Sequence, residues 1–187
     1  MVPLTSLWVP ILLSAVIVFV ASAILHMLLP FHQKDYGKVA AEADVLNALR
    51  PFAIPPGDYV MPLAVPPARM DSPEMLEKMN QGPIVMMTVL PNGPPAMGPT
   101  FGLWFAYCVV ISIFAAYVTG RALGPGAPYL EVFRFAGAVA FIGYSAALWQ
   151  MSIWFKRSWG TTLRATIDGL IYGLLTAGTF GWLWPRG

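Results

Sequence analysis

The sequence has few charged residues. Only 11% of its 187 residues are Asp, Glu, Lys or Arg, whereas a typical soluble domain has about 25%. The net charge of +2 is small, and the basic residues form no dense cluster of the kind that binds nucleic acid. This composition excludes an ordinary soluble domain and predicts no nucleic-acid partner.

Cysteine and the motifs of common enzymes are scarce as well. The single cysteine, Cys108, excludes an internal disulfide and a cysteine-based zinc site. The sequence contains no glycine-rich phosphate-binding loop, no nucleophile elbow and no cysteine–histidine pair. We therefore expect a protein that is not an enzyme.

Hydrophobic residues make up 57% of the chain and concentrate in long runs. About 20 helical residues cross a hydrocarbon core of ~30 Å, so each of these runs is long enough to span a membrane. The predicted spans are residues 7–29, 101–121, 129–155 and 162–184. We expect the first run to be retained, because it exceeds the roughly 7–15 apolar residues of a signal peptide. The predicted fold class is an all-α membrane protein with a four-transmembrane-helix bundle.

A segment of different composition separates the first two spans. Residues 31–99 hold 12 of the 18 prolines and seven of the nine acids. Helices are predicted at 41–51 and 71–82, with Ser72 as N-cap and Gly82 past the end of the second; short strands are predicted at 57–63 and 83–91. The predicted domains are transmembrane helix 1 (1–30), a membrane-peripheral α+β cap or insertion (31–99) and transmembrane helices 2–4 (100–187).

Basic residues near the predicted spans fall mainly on one side of the membrane. They are Lys34, Lys38, Lys156, Arg157 and Arg164. Because positively charged residues near spans are retained in the cytoplasm, we predict a multi-pass protein whose residues 31–99 are cytoplasmic and whose termini lie outside.

Small side chains recur at helical spacing in the last two predicted spans. In lipid, helices associate where small residues let their backbones approach closely. The predicted helix-packing residues are Ala165, Gly169, Gly173, Ala177 and Gly181 in span four and Ala136, Ala140, Gly143 and Ala147 in span three. Span one offers Ser14, Val18, Ser22 and His26, and span two offers Cys108, Ser112, Ala115 and Thr119. These stripes can pack within one bundle, or span four can also meet a helix of another subunit.

Few ionisable residues lie within the spans, and such residues are functional candidates. The candidate polar cluster at one boundary comprises His26, Gln150, Arg164 and Asp168. His26 and Asp168 are either a hydrogen-bonded link between spans one and four or a proton-carrying pair. At the other boundary, Glu131 and Arg134 are three residues apart and are predicted to form an ion pair.

The two histidines, His26 and His32, give no support to a bis-histidine haem, which needs ligands at equal depth on facing helices. We predict no cofactor, and single axial haem ligation by His26 is the remaining alternative. No metal site is predicted either, because Asp35, the only acid near the histidines in the sequence, is expected to be solvated.

Three stretches carry a resemblance to a known family. They are "VPLTSLWVPILLSAVIVFVASAILHMLLPFH", "VFRFAGAVAFIGY" and "DGLIYGLLTAGTFGWLWP". On these residues the whole chain resembles a family of uncharacterised bacterial four-span inner-membrane proteins. The resemblance implies a bacterial inner-membrane location and carries over no active-site residue. In that membrane, the charge distribution described above would place both termini in the periplasm.

The function predicted from these observations is that of a non-enzymatic membrane scaffold or accessory subunit. It would act through helix–helix and cap contacts, with the lipid bilayer and a partner protein or a second copy of the chain as partners. The alternative is a small dimeric proton-coupled carrier that uses Asp168 and His26. A membrane enzyme using the same two residues is a third possibility.

Overall fold

The computed structural model describes residues 1–186 and is mainly helical over them. The elements in chain order are α1 (Trp8–Ala23), α2 (Glu42–Leu49), β1 (Gly57–Met61), α3 (Pro73–Gln81), β2 (Val85–Val89), α4 (Met97–Ala122), α5 (Tyr129–Ser145), α6 (Trp149–Ile153) and α7 (Trp159–Trp182). The chain divides into two compact units. Unit one consists of Met1–Gly37 together with the chain from Ala96 onward, and unit two is Lys38–Pro95. The limits predicted from the sequence are residues 31 and 99.

Three helical segments are long and apolar enough to cross a membrane, which is consistent with a membrane protein. They are Leu4–Leu28, Met97–Ala122 and Tyr129–Ile153, and they match the first three predicted spans. Helix α7 is not among them although it has 24 residues. Its five threonines and five glycines, together with Arg164 and Asp168, make it less apolar than the other three. The fourth span stays a prediction.

Proline determines how the first helical segment ends. Helix α1 continues into a π-helical turn, Ile24–Leu28, closed by the Leu29 N–H donating to the Ile24 carbonyl at 3.2 Å. Pro30 disfavours a helical conformation at the preceding residue, and Leu29 is extended at φ −96° and ψ 143°. The chain therefore leaves the helix here and folds back beside its end, through a short 3-10 turn at Pro30–His32.

Helices α5 and α7 form the most extensive helix pair of unit one. Their backbones are so close that a Cβ atom at Gly169 would lie 2.6 Å from the Cβ of Ser145, and one at Gly137 would lie 2.9 Å from the Cβ of Ala177. Gly173 likewise lies against Phe141 and the Gly137 carbonyl. The small-residue stripe of α7 is thus in contact with α5 of the same chain.

The other predicted packing residues occupy varied positions. Gly181 contacts the ring of Tyr129, and Gly143 contacts Ile111 of α4. Ala136, Ala140 and Ala177 are fully buried, Ala165 is half-buried and Ala147 is exposed. Ala147 faces outward because the helical segment tightens into a 3-10 turn at Ala146–Leu148, which breaks the register of the stripe.

Unit two contains the short elements expected for residues 41–91. Strands β1 and β2 pair antiparallel, with Gly57 opposite Val89 and Met61 opposite Val85. The Ser72 hydroxyl caps α3 by accepting from the Met75 N–H at 3.3 Å, and Gly82 ends the helix at a φ of +60°. The small α+β organisation predicted for this segment is confirmed.

Candidate functional site

Three polar side chains converge at the end of α1 where the chain folds back. His26 lies in the π-helical turn, and His32 ends the 3-10 turn that begins at Pro30. Asp168 lies on α7, one helical turn after Arg164. Asp168 Oδ2 is 3.0 Å from His32 Nε2 and 3.7 Å from His26 Nε2. Residues distant in the sequence therefore share one small polar site.

A second layer of charged groups holds His32 in place. The His32 Nδ1–H donates to Asp35 Oδ2 at 2.7 Å, and Arg164 Nε donates to Asp35 Oδ1 at 2.6 Å. Arg164 also donates to the Lys34 carbonyl at 3.3 Å. Burial alone would raise the pKa of Asp35, but the hydrogen bonds from His32 and Arg164 outweigh it and hold the pKa below its ordinary value. Asp35 is therefore an ionised anchor between the turn and α7.

Burial differs across the site. The side chain of Asp168 is only 4% exposed, those of His32 and Asp35 are 12% exposed, and that of His26 is 49% exposed. Although His32 Nε2 and Asp168 Oδ2 are close, neither His32 Nε2 nor Asp168 Oδ1 has a hydrogen-bond partner among the described residues. The inner part of the site is enclosed by protein and the outer part is open at His26.

The two imidazole rings are stacked. Their centroids are 4.0 Å apart and their planes differ by 20°. A neutral imidazole has a nitrogen lone pair that can accept a hydrogen bond or bind a metal. The stack therefore places two possible donor rings side by side.

The structure brings together only part of the predicted polar cluster. His26 and Asp168 do meet, but Arg164 pairs with Asp35 instead, and Gln150 is exposed on α6. Asp35 was expected to be solvated, and this is wrong, because its carboxylate is enclosed between His32 and Arg164. No local pattern singles out His32 and Asp35 as site residues, since only the reversal after Pro30 returns them to α7.

The predicted ion pair at the other boundary is not formed. Within residues 1–186, the carboxylate of Glu131 and the guanidinium of Arg134 do not come within 4 Å of each other, and both side chains are exposed on α5. Glu131 lies in the first turn of α5, where the helix dipole favours a negative charge without a partner. Arg134 lies along an apolar groove between α5 and α7.

Two cavities of unit one lie elsewhere. One is lined by residues near the start of the chain together with Tyr117 and Arg121, and the other is the groove beside Arg134. Neither is lined by His26, His32 or Asp168. The two imidazoles and one carboxylate of the polar site can bind a cation or exchange protons.

Comparison of the chain with protein-family models, with curated proteins and with solved structures finds no match.

Proposed function

We propose that this protein is a non-enzymatic integral membrane scaffold or accessory subunit, acting through contacts of its helices and of unit two with partner proteins. The observation that carries the proposal is the interlocked packing of α5 against α7, where a Cβ at Gly169 or Gly137 would come within 3 Å of the opposite helix. Helices in such close contact make a rigid frame. At these contacts they leave no room between them for a solute path.

The proposal includes four membrane spans. Helix α7 has 24 residues and would extend about 36 Å, more than the ~30 Å hydrocarbon core. Helix α7 lies alongside α5 over the length of α5: Gly181 contacts Tyr129 at one end, and Gly169 contacts Ser145 at the other. Because α5 belongs to a segment that is apolar enough to cross a membrane, its neighbour along this whole length would cross as well.

The proposed location is a bacterial inner membrane. The basic residues Lys34, Lys38, Lys156 and Arg157 would place residues 31–99 in the cytoplasm and both termini in the periplasm. On this arrangement the site at His26 and Asp168 lies near the cytoplasmic boundary.

The site itself favours a second candidate, a small dimeric proton-coupled carrier. The observation behind it is the almost fully buried carboxylate of Asp168, 3.7 Å from the half-exposed ring of His26. A buried ionisable pair with one open member is typical of proton transfer in membranes. Two observations weigh against this candidate: the small-residue face of α7 is occupied by α5, and the two cavities described above lie elsewhere.

Proton flux separates the two candidates. The full chain is reconstituted in vesicles that contain a pH-sensitive dye, and a potassium diffusion potential is applied. If the protein is a scaffold, vesicles that contain the wild type or Asp168→Asn should show the same proton flux as protein-free vesicles. A wild-type flux that Asp168→Asn abolishes, and that a control substitution of the exposed Asp44→Asn leaves intact, would favour the carrier.

Site-specific photo-crosslinking in cells tests the scaffold directly. A crosslinker is placed at one outward-facing position on each long helix, namely Val16, Phe114, Ile142 and Leu174. We expect at least one position to give a discrete adduct with a single protein or with a second copy of the chain. The buried Val132 serves as the control position, which should give no such adduct. Lipid adducts alone at all four outward positions would contradict a scaffold.

A further inference from the structure

We propose that His26, His32 and Asp168 bind one divalent transition-metal ion, for which Zn²⁺ is the representative. Each side chain offers one donor atom, and the three atoms lie within 4.8 Å of one another. Two imidazoles with one carboxylate are a donor set accepted by zinc and other first-row transition metals, whereas magnesium and calcium prefer oxygen donors. This inference does not depend on the scaffold proposal.

The spacing of the donor atoms fits a small ion. A tetrahedral zinc ion with ligands at about 2.05 Å keeps those ligands about 3.3 Å apart. The distances from Asp168 Oδ2 to the two histidine Nε2 atoms, 3.0 Å and 3.7 Å, lie on either side of this value. One ion would therefore fit between the carboxylate and both rings after small shifts of Asp168 and His32 and a rotation of the stacked His26 ring.

The surroundings of His32 are those of a metal-ligating histidine. Its Nδ1–H donates to Asp35, so Nε2 is the nitrogen that is left to bind a metal. Nε2 lies 3.0 Å from Asp168 Oδ2. A carboxylate behind a ligating imidazole orients the ring and increases its basicity, and Arg164 in turn holds Asp35 in position.

The charge at the centre of the site also calls for a cation. Asp168 is 4% exposed, and its Oδ1 has no hydrogen-bond partner within the described part of the chain. An ionised carboxylate buried in this way is costly unless a positive charge lies beside it. Arg164, one turn earlier on α7, is engaged by Asp35 instead. A metal ion at the three donors would supply the missing charge.

His26 provides the entrance. Its ring is 49% exposed and stacked on His32, so its lone pair reaches a shared ion only after the ring turns out of the stack. The ring is free to do so because it lies at the open side of the site. Three protein ligands leave a fourth position for water or an external ligand, as expected of a site that exchanges its ion.

Metal titration of the full chain tests the proposal. The protein is purified into lipid nanodiscs, stripped with a chelator, and titrated with Zn²⁺ by calorimetry and with Co²⁺ by visible absorption. We expect one ion per chain, a cobalt spectrum typical of four-coordinate nitrogen and oxygen ligation, and no binding of Mg²⁺ or Ca²⁺. Asp35→Asn should weaken Zn²⁺ binding by about 10–100-fold, as outer-shell substitutions do, and His32→Ala should weaken it further.

Two further variants keep the test decisive. Asp44→Asn removes an exposed carboxylate outside the site and should bind as the wild type does. His26→Ala changes only a half-exposed ring, so this variant should fold even if Asp168→Asn disturbs the bundle. The His26→Ala protein should lose the cobalt spectrum. The proposal is overturned if the wild type takes up no Zn²⁺, or if folded His26→Ala and His32→Ala proteins bind it as the wild type does. Either result would leave a proton as the only cation of the cluster.

Discussion

At the scale of single residues, buried hydroxyl groups join the helices of unit one. Ser14 Oγ of α1 lies 2.9 Å from Ser112 Oγ of α4, and both side chains are fully buried. The indole N–H of Trp104 donates to Ser22 Oγ at 2.7 Å. Small residues with a hydroxyl allow close helix approach and also form a directional bond, which larger polar groups could not do in the same space.

We expect Ser112→Ala to lower the free energy of unfolding by about 0.6 kcal/mol, the average for side-chain hydrogen bonds between membrane helices. The loss is small because Ser14 still donates to the Ile11 carbonyl, 3.1 Å away. Equilibrium unfolding in mixed micelles measures it, with Thr5→Ala at an exposed position as the control. A loss no larger than that of the control would show that the serine pair adds nothing to stability.

At the scale of elements, glycines of α7 differ in what surrounds them. A Cβ at Gly169 would lie 2.6 Å from the Cβ of Ser145, whereas one at Gly178 would have no neighbour closer than the Tyr129 hydroxyl at 3.8 Å. Both glycines look alike in the sequence, and Gly178 is one residue off the stripe. The position of α5 decides which of them must stay small.

We expect Gly169→Ala to destabilise the protein by about 1–3 kcal/mol, the usual cost of overpacking, and Gly178→Ala to have little effect. Gly181→Ala should fall between them, because its Cβ would meet the ring of Tyr129 at 2.6 Å, and this half-exposed ring can swing away. The same unfolding assay measures all three. Equal losses would mean that α5 and α7 do not pack as described.

The elements themselves are largely predictable from local sequence. Ser72, Pro73 and Gly82 define α3 because capping, the fixed φ of proline and a positive φ act within a few residues. The long apolar runs likewise predict α1, α4 and α5. The π-helical turn before Pro30 is not predicted, since it depends on how residues 30–35 dock against α7.

At the scale of the whole molecule, whether α7 is a fourth span depends on how it packs and not on its composition alone. Its threonines, glycines and charged residues reduce its hydropathy, yet three of its glycines pack against α5 and Asp168 lies in the polar site. A helix whose polar groups are covered by neighbours can lie in a bilayer without exposing them to lipid.

Single cysteines introduced into a Cys108→Ala background test the resulting topology. We expect Thr5→Cys and Arg186→Cys to react with an impermeant thiol reagent from one side of the membrane, and Lys78→Cys from the other. This pattern follows from four crossings, which return both ends to the same side. If α7 does not cross, Arg186→Cys and Lys78→Cys will instead label from the same side.

The sequence by itself determined the apolar helices, the small α+β unit and the small-residue stripes, because each depends on composition or on neighbours within one or two helical turns. Only the tertiary structure decided which residues form the polar site. Asp168 is 136 positions beyond His32, and no local pattern links them. Their meeting depends on the reversal of the chain after Pro30 and on the docking of α7. Pro30 marks where the first helix ends, but no local signal gives the direction the chain then takes or the helix against which it packs.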